Sequence, residues 1–165
     1  MKDILGKIKL TFGVTFGILI FIVLIPISLI VLPFLTFENQ KLDKEYQEFL
    51  NNNNGRKFFC YTSRKHVFDF VENSLLPSIA NDINVIFLHG KIPKSNFPER
   101  FISRMLYRIN NIGFPNIMKI VDGKVIDISL KKEFYEELNK DAKVSRITNF
   151  INLGFQIIDD NKNSL

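Results

Sequence analysis

The chain opens on nine residues carrying Lys2, Lys7 and Lys9, then runs from Leu10 to Phe37 through 28 residues without a charge. A hydrocarbon core is crossed by roughly 20 helical residues, so this run is long enough for a transmembrane helix. A cleaved signal peptide has an apolar region of about 7–15 residues closed by small residues. Here the run ends Pro33-Phe34-Leu35-Thr36-Phe37, and the expectation is a retained anchor over residues 10–37 behind a basic tail, 1–9. Pro26 in its middle either kinks a spanning helix or marks a re-entrant hairpin.

Beyond the anchor the pattern turns polar. Residues 38–55 carry Leu42, Tyr46, Phe49 and Leu50 at helical spacing and end in Asn51–Asn54 and Gly55, which predicts an amphipathic stalk and a break. From Arg56 to Lys140 the period alternates between strand and helix. Lys57-Phe58-Phe59-Cys60-Tyr61 suits a buried strand. Thr62 and Ser63 are good N-cap residues, and Val67, Phe68, Phe70, Val71, Leu75, Leu76 and Ile79 recur at helical intervals. Pro77 should kink that helix late, with Ile79 and Ala80 continuing its face.

Ile83 to Leu88 forms the next buried run, closed by His89-Gly90; a loop with Pro93 and Pro98 follows. Phe101, Ile102, Met105, Leu106 and Ile109 then mark a second helix. The stretch NIGFPNIMKIVDGKVIDISL, residues 110–129, reads as two strands joined at Asp122-Gly123, a dipeptide favoured in type I′ hairpins, with a helix over Lys131 to Lys140. Residues 141–165 add Val144, Ile147, Phe150, Ile151, Leu153, Phe155, Ile157 and Ile158. These suit an extra helix packed on the domain, or one docked in a partner's groove, with a loose tail from Asp159.

The expected order is β-α-β-α-β-β-α, an α/β domain with helices on both faces of the sheet. Its first two strands are made parallel by the crossover and its last two antiparallel by the hairpin. This order resembles the thioredoxin fold over residues 56–140. Gly113-Phe114-Pro115 before a strand, Asp122-Gly123 at the turn and Lys124-Val125-Ile126 after it carry most of the resemblance. The resemblance implies a cis proline at Pro115, next to the start of the first helix, and a ligand-binding groove around it. It departs at the chemistry, because the redox members carry C-x-x-C where this chain has Thr62-Ser63-Arg64-Lys65-His66.

Composition then narrows the function. The chain has a single cysteine, Cys60, so dithiol exchange, an internal disulfide and a thiolate metal cluster are all excluded. The 19 Lys+Arg against 16 Asp+Glu beyond the anchor are too evenly matched for a dedicated nucleic-acid binder, and no zinc-finger spacing or RNP-like motif accompanies them. The three lysines before the anchor outweigh Lys41 and Lys44 after it, which places the amino terminus inside and the domain extracytoplasmic. A hairpin at Pro26 would instead leave the domain cytoplasmic.

Ligands of open α/β sheets gather beyond the carboxyl ends of the parallel strands. Those ends carry Ser63, Arg64, Lys65 and His66 after the first strand, and His89, Gly90 and Lys91 after the second. Arg64, Lys65, Lys91, Phe114 and Pro115 are therefore the ligand-binding candidates, for a protein, a peptide or an anion. His66 and His89 could act as acid and base, with Ser63 as acceptor; solvated histidines and a Ser63 that only caps its helix explain the same residues. Asp69 near His66 does not complete a zinc ligand set, so neither metal nor cofactor is expected.

Arg100, Arg104 and Arg108 form a basic stripe on the second helix, fit for anionic lipid, an acidic partner or plain solvent. Two functions stay open. One is a membrane-tethered, redox-inactive thioredoxin-like binding module; the other is an enzyme acting on an anionic small molecule or glycoconjugate precursor through His66 and His89. No nucleotide-binding glycine motif, nucleophile elbow or carboxylate pair supports the second, so the reading leans away from an enzyme.

Overall fold

The computed structural model describes residues 38–111, 113–140 and 143–162. The expected anchor over 10–37 with Pro26, the basic tail before it, the end of the carboxyl-terminal tail, and the side chains of Lys65 and His66 lie outside the described residues. Among those described, no helix is long and apolar enough to cross a membrane. The chain divides into two compact units, one ending at Glu45 and the other running Tyr46–Leu165. Residues 38–45, the described part of the first unit, are helical; the second unit begins with helical residues 46–52, the part of helix α1 (residues 38–52) that bears on the domain.

The second unit is a mixed α/β domain built on a five-stranded sheet. In chain order it contains β1 (Lys57–Thr62), α2 (Lys65–Phe70), β2 (Ile83–His89), β3 (Ile92–Lys94), α3 (Glu99–Tyr107), β4 (Asn116–Val121), β5 (Lys124–Ser129), α4 (Lys131–Leu138) and α5 (Val144–Lys162). The strand order is β3-β2-β1-β4-β5. β1 and β2 are parallel, as a helical crossover requires, and every other pair is antiparallel. At the β4–β5 turn Asp122 and Gly123 take φ values of 49° and 72°, the two positive angles that a type I′ hairpin demands.

Strand alternation sends successive side chains to opposite faces, and both faces are covered. Phe59 and Tyr61 of β1, Ile83 of β2 and Ile117 and Val121 of β4 meet Val67, Val71, Leu75, Phe134, Ile147, Ile151, Phe155 and Ile158 from α2, α4, α5 and the turns after α2. On the other face Phe58 packs edge-on to Phe97 at 5.4 Å, and Phe49 stacks on Phe101 of α3 at 4.8 Å. Tyr46, Phe49 and Leu50 of α1 are buried there, so the last turns of the amphipathic stretch belong to the second unit's core.

Four local expectations need correction. The chain is not loose from Asp159, because α5 stays helical to Lys162. The first helix does not continue its face through Ile79: α2 gives way to a π turn at Val71–Leu75 and a 3₁₀ turn at Leu76–Ser78, and Ile79 is extended. Pro77 has no N–H, and its ring excludes the carbonyl of Asn73. The backbone widens ahead of it, with the Leu76 N–H donating to the Val71 carbonyl, five residues back. That wide turn carries Glu72 to the hydroxyl of the buried Tyr61, which donates to its carboxylate.

The stretch read as a loop after Gly90 contains β3, where Pro93 stands opposite Leu88. A proline is tolerated there because β3 is the edge strand of the sheet, with no partner beyond it among the described residues. Ser63 does not cap α2 either. Its N–H donates to the Leu88 carbonyl, 3.3 Å, which prolongs the sheet, and the cap position falls to Arg64 with no side-chain cap bond.

Candidate functional site

Because β4 runs antiparallel to β1 and starts opposite Cys60, the segment entering β4 lies beside the carboxyl ends of β1 and β2. That segment holds Gly113, Phe114 and Pro115, and the Phe114–Pro115 peptide is cis. Pro115 is buried and its carbonyl accepts the Leu130 N–H at 2.9 Å, which ties it to the start of α4. Gly113 lies so close to that region that an added Cβ would stand 2.5 Å from Ser129 Oγ and 3.2 Å from Lys131 Cβ.

The loop ahead of Gly113 is held by Asp127, an acid on β5 that is 4% exposed. Its carboxylate accepts the backbone N–H groups of Asn110 and Asn111 at 2.8 and 2.9 Å, and Asn116 Nδ2 at 3.2 Å. Asn111 Nδ2 in turn donates to the Asp127 carbonyl at 2.8 Å. A carboxylate offers lone pairs enough for all three donors, so the charge is stabilised where water is scarce.

Phe114 forms one wall of a largely apolar groove of about 420 Å³. Leu88 and Lys91 come from the end of β2 and the turn after it, and Leu106, Tyr107 and Ile109 from the end of α3 and beyond. Tyr107 is 90% exposed, so its ring stands at the rim of the groove. On the far side of Gly113, Ser129, Lys131, Lys132, Glu133 and Tyr135 line a second concavity, and Arg64 donates to the Tyr135 hydroxyl at 3.2 Å.

The structure thus brings Arg64, Lys91, Phe114 and Pro115 to one edge, joined by Lys131 and Lys132. Lys65 and His66 share it through the backbone of α2, and their side chains lie outside the described residues. His89 is exposed at the end of β2, its ring 6.1 Å from Phe87. Among the described residues no three His, Cys, Asp or Glu side chains gather as metal ligands.

Comparison of this chain with family models, curated proteins and solved structures finds no match.

The basic stripe does not reach the groove. Arg104 and Arg108 lie over the Tyr46 ring at 5.0 and 5.3 Å, and Arg100 over Phe101 at 4.5 Å. Each distance is short enough for a cation–π contact, so the stripe is partly a means of packing α3 against α1. The apolar lining residues Leu106, Tyr107 and Ile109 were hidden in the sequence because α3 buries Phe101, Ile102 and Met105 at the same helical period. Asp127 was hidden by strand alternation, since a polar residue between Ile126 and Ile128 ordinarily faces solvent.

Cys60 is fully buried on β1, and burial pushes its thiol up to about 12. Burial, together with a hydrogen bond to Glu72, likewise raises the Tyr61 hydroxyl. An acid whose folded pKa is raised favours the native state below its unfolded value and withdraws that support as pH rises. For Cys60 the loss begins near the ordinary thiol value of about 9 and grows toward about 12. The urea midpoint should therefore fall more steeply between neutral pH and pH ~10 in the wild type than in Cys60→Ala, and a disulfide reagent should label native Cys60 only as fast as the chain opens. Parallel midpoints and immediate labelling would place the thiol at the surface.

Proposed function

We propose that this chain is a membrane-anchored, redox-inactive module of the thioredoxin-like type that binds an extended peptide at the Phe114–Pro115 edge. The groove of about 420 Å³ between Phe114 and the end of α3 carries the reading. It accepts one bulky apolar side chain, and Tyr107 offers a large amphipathic ring at low entropic cost. Lys91 at the groove and Lys131, Lys132 and Arg64 beyond Gly113 favour acidic residues beside that side chain, with Glu133 the opposing charge among those lining the second concavity.

Support for the fold type comes from the β2-β1-β4-β5 portion of the sheet, with helices on both faces and a proline entering β4. Relative to the minimal order expected, β3 and α5 are additions. Redox inactivity rests on the single buried cysteine. Membrane attachment rests on the uncharged run Leu10–Phe37, and the lysines before it favour an extracytoplasmic domain.

The test uses the full chain in detergent micelles and short peptides carrying one Phe between acidic residues, between lysines, or none. The acidic Phe peptide should bind best, and Tyr107→Ser and Phe114→Ala should each weaken it by about tenfold, equivalent to roughly 1.4 kcal/mol. Equal binding of all three peptides, or variants that bind like the wild type, would remove the groove as the recognition site.

A further inference from the structure

Among the described residues the large apolar side chains left exposed are Ile92, Tyr107, Leu153 and Ile157. Tyr107 belongs to the groove, and Ile92 stands singly on the edge strand β3. Leu153 and Ile157 are different, because both sit on α5, one turn apart, at 53% and 44% exposure. Single apolar residues on a surface need no explanation, whereas neighbours on one helix face make a patch.

The patch is part of a longer row. Ile147, Ile151, Gly154, Phe155 and Ile158 are buried against the sheet side of α5. On the outward side Arg146, Asn149, Leu153, Ile157 and Asp160 follow one another at intervals of three and four residues, so they line up along the helix, and all five are exposed. This row is apolar in its middle, basic at its amino end and acidic at its carboxyl end. Arg146 Nη1 holds the Glu137 carboxylate at 3.3 Å, yet its side chain stays 56% exposed, and a guanidinium has five N–H groups to share.

Reversed, the row is complementary to itself. Arg146 and Asp160 each lie seven residues from Leu153, about 10 Å along the helix in opposite directions. An antiparallel pair of α5 helices with its two-fold axis at Leu153 therefore brings Leu153 against its own counterpart, each Ile157 over the other copy's Asn149, and each Arg146 beside the other copy's Asp160. A two-fold interface requires such self-complementarity. A parallel pair would oppose Arg146 to Arg146 and Asp160 to Asp160, and like charges so placed repel.

We propose that the outward row of α5 is a self-association surface, on which two copies of this chain pair antiparallel about Leu153. Leu153 and Ile157 form its dry centre, Asn149 flanks them, and the two Arg146–Asp160 pairs set the orientation. One helix pair covers less than the roughly 1,200 Å² of a stable interface, so the contact is weak and reversible. Membrane attachment, proposed above, would confine the copies and raise their effective concentration. The peptide groove shares none of these residues, so either reading can fail without the other.

The test is disulfide cross-linking of the full chain in detergent micelles at rising protein concentration, with Leu153→Cys, Ile157→Cys and Asn152→Cys made singly and the wild type, whose Cys60 is buried, as the blank. At the axis two cysteines at position 153 fall within the Cα separation of about 7 Å that a disulfide tolerates. Copies of position 157 lie about 12 Å apart along the paired helices, and Asn152 points away from the row. Leu153→Cys should therefore link about tenfold faster than either of the other two. Adding Asp160→Lys, which sets a cation against Arg146 at both ends, should slow that linking by about fivefold. The proposal is overturned if position 153 links no faster than 152, the result expected from association through residues 10–37 alone. It is overturned equally if 157 links as fast as 153, which marks a parallel pair, or if Asp160→Lys changes nothing.

Discussion

Asp127→Ala should lower the unfolding free energy by about 3–5 kcal/mol and also abolish peptide binding in the groove. Removing the carboxylate takes an acceptor from the Asn110 and Asn111 N–H groups and from Asn116 Nδ2 at once, in a place that is 4% exposed. A buried donor left unpaired costs roughly 1–3 kcal/mol, and because Asn110 and Asn111 lie in an exposed loop whose N–H groups can turn to water, the total stays below the sum for three. The consequence for function follows from connectivity. Asn110 and Asn111 join α3 to Gly113 and Phe114, so the same bonds set the distance between Tyr107 and Phe114 across the groove.

Asp127→Asn is the informative companion. It keeps one acceptor oxygen but turns an NH₂ toward groups that are themselves donors, so it should recover only part of the loss. Urea unfolding of both variants, with amide exchange at Asn110 and Asn111, checks the argument. A loss under about 1 kcal/mol for alanine, with both amides still protected, would mean that the loop is held by something other than this carboxylate.

Gly154→Leu should cost roughly 3 kcal/mol, while Gly154→Ala should stay within about 1 kcal/mol of the wild type. Gly154 is buried in α5 where the helix crosses β4, and an added Cβ would overlap Ile117 Cδ1 and lie 3.9 Å from Leu130 Cδ2. Ile117 is fully buried, so its end has little room to swing. For alanine, about 1 kcal/mol gained from helix propensity offsets much of the overlap. For leucine the same gain is small against a whole side chain forced between helix and sheet. The measurement is the shift in urea midpoint at unchanged slope. If leucine is tolerated as well as alanine, α5 is free to ride away from β4, and the close crossing is not a constraint of the fold.

Much of the architecture was legible because it follows from short-range chemistry. The run Lys57–Thr62 is apolar on both faces and becomes a central strand, β1, between β2 and β4. Asp122-Gly123 specifies its own turn, since few other dipeptides accept φ of 49° and 72° in succession. Gly113-Phe114-Pro115 marks the entry to β4, and the crossover rule puts β1 beside β2 in parallel. The edge shared by Arg64, Lys91 and Pro115 follows from these elements alone.

Other features depend on which element arrives to cover which face, and no local pattern encodes that. Asp127 and Lys124 are both polar residues of β5, yet the loop after α3 folds over one and leaves the other exposed. Tyr46 reads as part of a polar stalk, but Phe101 and Arg104 of α3 and Arg108 just after it close around its ring and bury it. Leu153 and Ile157 share the helical period of Ile151, Phe155 and Ile158, yet remain 53% and 44% exposed because only one stripe of α5 meets the sheet. Periodicity and turn residues decided the elements and their order. Burial, and with it the groove and the Asp127 clamp, was decided by the packing of distant segments, where the free energy of covering a surface exceeds any preference written into a few neighbouring residues.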